Sequence, residues 1–546
     1  MPKLSVEQFS GSRPRLAKHL LQNTQAALAL DCRFDHGTLD AWREPRAYRQ
    51  VDPDTRTSLQ FGCCWLDFDS CVDWSIGPVN CQRLYATGVS GYDYPVVIEV
   101  DPSTCQTTVH RLGLPCPQDA PSVLTATQEG LADKDFEGRS YAYQYENALG
   151  ERSALSRASN PVMIRDGSSS VISGWEVPDA SWGVVNVLIY RSVSAVGASM
   201  AAPSADNTAD TAWMLAGRVA VGAVSFTDSR FNDELQDALE EDIVTAPPEG
   251  LRGITLISSM NALAGYVGNR LYFSENNSFH NWRHYLDLDD NICGIVESNK
   301  VIYVGTDGAP YAVMAEADCK TAQCRAAVRL PKKWPMVACG SRHMAALPQG
   351  AVYPTHDGLV ALSGNGMPTL LTSPLYAAED WQRLRPHTVL PEVSGAYLFV
   401  FAQGGSFVIS LDDGSTPGWD MDTHSELSDT GVRDIFTTRS GDLFLLKDDG
   451  ILYQWDRGTR RRPYRWQSPL WALPKPVGYA ACRLRFKTDS VRAIITVDGS
   501  EVHNELMHEL QPFSLPSWSY GTDWQIELRG TATVSLAALA TSFEEL

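Results

Sequence analysis

Nothing in the 546-residue sequence approaches the run of about 20 apolar residues that a membrane-spanning helix needs, so none is expected. Positive charge is scarce as well. Lys and Arg number 45 against 65 Asp and Glu, a net charge of −20, which excludes a chain that grips nucleic acid over its whole surface. An acidic wall still suits a channel through which DNA slides, because repulsion discourages sticking. The sequence has no H-E-x-x-H pair, no nucleophile elbow and no paired C-x-x-C spacing. Its paired carboxylates are those of any acidic chain and carry no signal for glycoside hydrolysis. The opening stretch MPKLSVEQFSGSRPRLAKHL has no apolar centre of the secretory kind. The expectation is a protein made in a cytoplasm, with its 12 cysteines as mostly buried thiols.

What the chain does have is short apolar runs and turn residues. With 41 Gly and 31 Pro and 20% charged residues, it reads as turn-rich and globular, with three or four domains by length. The densest stretch is Gly250–Met314. There Ile254–Ile257, Leu263–Tyr266, Leu271–Phe273, Ile295-Val296, Val301–Val304 and Tyr311–Met314 alternate with turns such as Gly268-Asn269 and Asp307-Gly308. Runs this short with such punctuation predict antiparallel strands.

A tyrosine-bearing strand recurs along the chain. Gln82–Thr87, Asn269–Ser274, Val301–Thr306, Ala351–Thr355 and Gly395–Val400 share it, Asp442–Leu446 echoes it with Phe444 in place of tyrosine, and most lead into a Gly-containing turn. A spacing of about 30–50 residues is that of propeller blades, whose radial packing covers sheet edges. Residues 51–118 are assigned to the first blade or blades, and 248–465 to the rest, with 51–118 expected to help close the ring. Between them, 119–247 reads as an inserted immunoglobulin- or fibronectin-like sandwich, with Tyr141, Tyr143 and Tyr145 on one face of a strand. Residues 466–546 read as a C-terminal β-domain. Residues 1–50 read as an N-terminal arm with a helix near Leu16–Leu30. A second helix is predicted at Ala377–Arg385. The fold class is all-β.

Several short motifs resemble tail nozzle proteins of short-tailed bacteriophages, the family also called tail tubular protein B. They are Phe9-Ser-Gly-Ser-Arg-Pro-Arg-Leu with Asn23, Ala26, Cys32 and Leu39–Arg43; GNRLYFSENNSFHNW at Gly268–Trp282 followed by Leu286–Asn291; and Trp466-Gln467-Ser468 with Pro512–Pro516, Gly530 and Glu544-Glu545-Leu546. The resemblance implies a non-enzymatic virion component, a ring of six below the tail adaptor through which DNA leaves the capsid. Its partners would be itself, the adaptor, tail fibres and passing DNA read without sequence specificity. It would be assembled in the host cytoplasm, and no cofactor is expected. Rival readings are a glycan-degrading propeller hydrolase and a receptor-binding adhesin of the virion.

Three groups of residues are candidate contacts. Asp287, Asp289, Asp290 and Asn291 form an acidic loop suited to a channel wall or subunit contact. Calcium is the minor alternative there, since Ile292 stands where an EF-hand loop needs Gly. Arg457, Arg460, Arg461 and Arg462 form the one basic run, fit for an acidic neighbour or for phosphates. Phe9, Arg13, Pro14, Arg15 and Leu16 are the arm's candidate contacts.

Overall fold

The computed structural model describes residues 3–77, 83–126, 136–194, 211–235, 237–240, 243–314, 327–363, 368–411 and 419–546. Strands dominate these, and the single α-helix among them is Ala378–Arg383, within the predicted span. No helix of the described residues is long and apolar enough to cross a membrane. The chain divides into two compact units. The first comprises the described residues of Met1–Cys71, Asp290–Met314 and Ala326–Leu546, and the second those of Val72–Asp289.

The first unit contains four successive four-stranded antiparallel sheets. Their first strands are Ile292–Ser298, Ala345–Leu347, Leu390–Ser394 and Val432–Thr437, and each first strand neighbours the next. This is the blade arrangement of a propeller, with inner strands together and later strands stepping outward. The last sheet supplies only Val432–Thr437, Leu443–Lys447 and Ile451–Gln454 from its own stretch. Its fourth strand is Arg46–Gln50, antiparallel to Ile451–Gln454 with Ile451 opposite Gln50. The fourth strand of this sheet thus comes from residues 1–50 and not from 51–118. The completing strand lies inside the predicted arm. RAYRQ carries exposed or half-buried side chains throughout, so it has no apolar signature; it is held by the unpaired edge it covers. The hairpin Thr57–Phe61/Cys64–Phe68 is a separate two-stranded sheet, and its Trp65 packs on Phe436 and Phe444.

The arm is not loose, and the predicted helix at 16–30 is replaced by a 3-10 turn at Lys18–Leu20 and a strand at Leu28–Leu30. That strand runs parallel to Trp419–Leu427 and antiparallel to Tyr464–Gln467. It joins the third sheet to the C-terminal domain in one continuous ladder of hydrogen bonds. Leu4–Val6 likewise pairs with Thr533–Ala540. Backbone pairing and the burial of Ala26 and Ala29 outweigh the weak helical periodicity. The C-terminal domain is two facing sheets over a core that includes Tyr464, Trp466, Leu484, Ile495, Trp524 and Ile526.

The second unit holds two more four-stranded meanders. They begin at Asp73–Ile76 and Arg252–Ile257, whose strands are neighbours, and the Gly253 N–H donates to Asp73 Oδ2 at 3.2 Å. Between them in sequence stands the inserted sandwich. One layer is Tyr141–Asn147, Val184–Ser194 and Thr211–Ala220; the other is Ser122–Ala126, Ser169–Ser173 and Ser225–Asp228. Tyr141, Tyr143 and Tyr145 do share one buried face, packed with Ile172, Trp175, Val187 and Ile189. The open edge of Tyr141–Asn147 is sealed by serines spaced three apart. Ser153, Ser156 and Ser159 each accept through Oγ from the N–H of Tyr145, Tyr143 and Tyr141 at 2.9–3.0 Å. Each serine N–H also donates back to the carbonyl of the same tyrosine.

Candidate functional site

The arm motif that carries the resemblance is packed into the first unit. Phe9 is buried edge-on against Trp466, with ring centres 4.9 Å apart, and Trp466 Nε1 donates to the Ser10 carbonyl at 3.1 Å. Gly11 lies against the His424 backbone, where a Cβ would be 2.3 Å from the carbonyl oxygen. His424 is fully buried and bridges Ser12 Oγ at 3.0 Å and the Tyr376 hydroxyl at 2.9 Å. Burial pushes its imidazole down to about 3, so the ring is neutral. Arg13 places Nε and a terminal nitrogen on Asp422 Oδ1, at 3.2 and 2.6 Å, and Arg15 donates to the Ser373 carbonyl. Pro14 and Leu16 face outward. Farther along, Trp471 Nε1 donates to Asn23 Oδ1 at 3.1 Å, Trp42 Nε1 to the Cys32 carbonyl at 3.1 Å, and Leu39 pairs with Val534.

The basic run divides. Arg462 is buried over Trp455 and bonded to Asp31 Oδ1 at 2.9 Å and Asp429 Oδ2 at 2.6 Å, while Lys447 reaches Asp429 Oδ1 at 2.7 Å. Burial alone would raise the Asp429 carboxyl; the hydrogen bonds and charges of Arg462 and Lys447 outweigh it and hold it below the usual range. Arg461 pairs with Asp40, and Arg457 with Asp442 at 2.6 Å. Arg460 is exposed and forms no ion pair among the described residues. Three of the four cations thus clamp acidic groups of their own chain.

The acidic loop residues are anchored individually. Asp287 accepts from two nitrogens of Arg270 on the neighbouring strand, Nε on Oδ1 at 2.6 Å and a terminal nitrogen on Oδ2 at 3.1 Å. Asp290 Oδ2 accepts from the Ala309 N–H at 3.2 Å, the Tyr311 hydroxyl at 3.3 Å and Arg329 at 3.4 Å. Asn291 donates twice to Asp307, at 2.9 and 2.8 Å. Asp289 is exposed. Asp287 and Asp290 thus each face an arginine, Arg270 and Arg329 respectively.

One feature of the second unit escaped sequence reasoning. A cleft of about 490 Å³ opens between the blade strand Arg83–Thr87, the turn after Tyr141–Asn147 and the loop after Arg270–Phe273. Its lining includes Arg83, Tyr85, Glu151, Arg152, Glu240 and His280. Tyr85 stands edge-on to Phe279, with centres 5.2 Å apart. Desolvation, aided by the charge of Glu151, pushes its hydroxyl up to about 12. Two arginines offset two glutamates, Arg83 bonds Glu99 at 3.0 Å, and Arg152 lies 3.6 Å from Glu240. These residues come from four separated stretches with no shared motif; the strand Gln82–Thr87 and the motif Gly268–Trp282 stand out in the sequence, but nothing in it shows that they meet.

No protein-family model and no curated protein matches the chain. Among solved structures, BamB from Moraxella catarrhalis is 9% identical over 77% of this chain and 99% of its own, with a TM-score of 0.30. The Pan2 WD40 domain of Neurospora crassa is 10% identical over the same shares, also at 0.30. YCF48 from Cyanidioschyzon merolae is 8% identical over 75% of this chain and 98% of its own, at 0.23.

Proposed function

We propose that the chain is a structural component of a bacteriophage tail, the nozzle ring that forms the DNA-exit channel and contacts adaptor and fibres. One observation supports this reading above the others. Two motifs of the resemblance, 456 positions apart, meet in one packed junction: Phe9 stands edge-on to Trp466, whose Nε1 donates to the Ser10 carbonyl. The role is mechanical. Identical head-to-tail contacts close a ring of six, and the net charge of −20 lets DNA phosphates pass without binding. The outward Pro14 and Leu16 and the exposed Arg460 are the surfaces offered to adaptor and neighbour. The particle assembles in the host cytoplasm and needs no cofactor. Light scattering with negative-stain electron microscopy of the purified chain tests this. A six-fold particle with a central channel is expected; a monomer at every concentration overturns it.

The cleft beside Tyr85 favours a second reading, a receptor-binding adhesin, since a polar, charge-balanced pocket with an aromatic wall suits a saccharide. Binding of labelled host-envelope oligosaccharide that is lost in Arg152→Ala would support it, and equal binding by both proteins would exclude it.

A further inference from the structure

Cys293 and Cys339 are separated by 46 positions, yet their Sγ atoms lie 3.3 Å apart in the first unit. Both are present as thiols. Among the described thiols, Cys32, Cys293 and Cys482 are buried, whereas Cys63, Cys71, Cys116 and Cys339 are exposed, so the expectation of mostly buried cysteines is not met. We propose that Cys293 and Cys339 are a modification site, an oxidisable dithiol that a small-molecule disulfide of the glutathione class converts into an intramolecular disulfide.

The backbone holds the two sulfurs together. Cys293 sits in the inner strand Ile292–Ser298, and Cys339 in the crossover that leads to the next sheet at Ala345–Leu347. The Gly340 N–H donates to the Cys293 carbonyl at 2.7 Å, and the Met336 N–H to Thr306 at 2.8 Å. The sulfurs of Met344 and Met336 close over Gly294 and Gly305, where an added Cβ would be 3.0 and 2.8 Å from them. The crossover is thus pinned on both sides of Cys339, and the two sulfurs stand 3.3 Å apart against a bonded distance of about 2.0 Å.

The chemistry balances with one external reagent. The solvent-facing Cys339 loses its proton and attacks one sulfur of the small disulfide, whose S–S bond breaks and releases one small thiolate. Cys293 then loses its proton and attacks Cys339 Sγ, expelling the second thiolate. Two protein thiols become one protein disulfide, and the reagent gains two electrons and, with the released protons, becomes two small thiols. Burial pushes the Cys293 thiol up to about 12, which makes it the second attacker and Cys339 the first. The bond would fasten the crossover to the inner strand of its sheet.

The experiment treats the full chain with oxidised glutathione, alkylates under denaturing conditions and maps peptides by mass spectrometry without reduction. A cross-linked peptide pair joining Cys293 to Cys339 is expected, while the exposed Cys116 carries only a mixed glutathione disulfide. The melting midpoint should rise by a few degrees and return on reduction. Cys293→Ser should stop at the mixed disulfide on Cys339, with the untreated variant melting cooperatively as a check on folding. A Cys293 that stays alkylatable while Cys339 is glutathionylated overturns the proposal, as does a cross-link from either cysteine to a different partner.

Discussion

Gly11 packs so closely on His424 that no side chain fits between them: a Cβ at Gly11 would stand 2.3 Å from the His424 carbonyl oxygen and 2.4 Å from its nitrogen. Both neighbours are backbone atoms and cannot swing aside. Gly11→Ala should therefore destabilise the first unit by about 2–4 kcal/mol. Gly222→Ala, in open space, serves as the control and should fall within about 0.5 kcal/mol of the parent. Denaturant unfolding of the two variants decides it; equal midpoints would show that the arm is not docked this way.

Arg462 neutralises two carboxylates at once. Arg462→Met removes the cation that Asp31 and Asp429 share, leaving Lys447 on Asp429, and should cost about 3–5 kcal/mol. The pH dependence gives a second readout. The Asp429 carboxyl titrates below its unfolded value of 3.8. It contributes stability above that value, which is lost as pH falls through the folded one. The parent should weaken as pH drops below about 4, and the variant should lose part of that slope.

Glu392 works with the opposite sign. Its residue keeps some exposed surface, but the carboxyl end is enclosed and receives the Thr437 N–H at 3.0 Å. Desolvation raises it from 4.5 to about 7, with Asp434 adding to the effect. The folded chain then holds a proton that the unfolded chain has released, so stability falls as pH rises from about 4.5 through 7. Glu392→Gln should flatten this slope, read as thermal midpoints between pH 5 and 8. A slope unchanged in the variant would place the titration elsewhere.

Ser156 both accepts from the Tyr143 N–H and donates its own N–H to the Tyr143 carbonyl. Ser156→Ala removes the acceptor, leaves a buried N–H unpaired and should cost about 1–3 kcal/mol. Hydrogen exchange at the Tyr143 amide should quicken in step. Unaltered exchange would mean that Ser156 does not protect that edge.

The strands of Gly250–Met314 were legible because each is a short apolar run between turn residues. The predicted Tyr311–Met314 and Val301–Val304 lie in or on the observed strands. The repeat was legible with one phase error. Arg83–Thr87, Val301–Thr306, Gly350–Pro354, Tyr397–Phe401 and Leu443–Lys447 are second strands of their sheets, but Arg270–Phe273 is a third. The second and third strands of a four-stranded sheet are both paired on two sides and so tolerate similar residues. The acidic loop and basic run were legible as charge, while their partners were not. Asp287 finds Arg270 by strand register, and Arg462 finds Asp31 over 431 positions.

Sequence by itself determined the local choices: strand over helix, the tyrosine face at Tyr141, Tyr143 and Tyr145, and the turns, because these depend on residues a few positions apart. Tertiary structure alone decided which strand covers which edge. Arg46–Gln50 and Leu28–Leu30 have no strand signature of their own, and take that form because open backbone donors and acceptors on distant sheets need partners. The Tyr85 cleft and the Cys293–Cys339 contact arise in the same way, from stretches that only folding brings together.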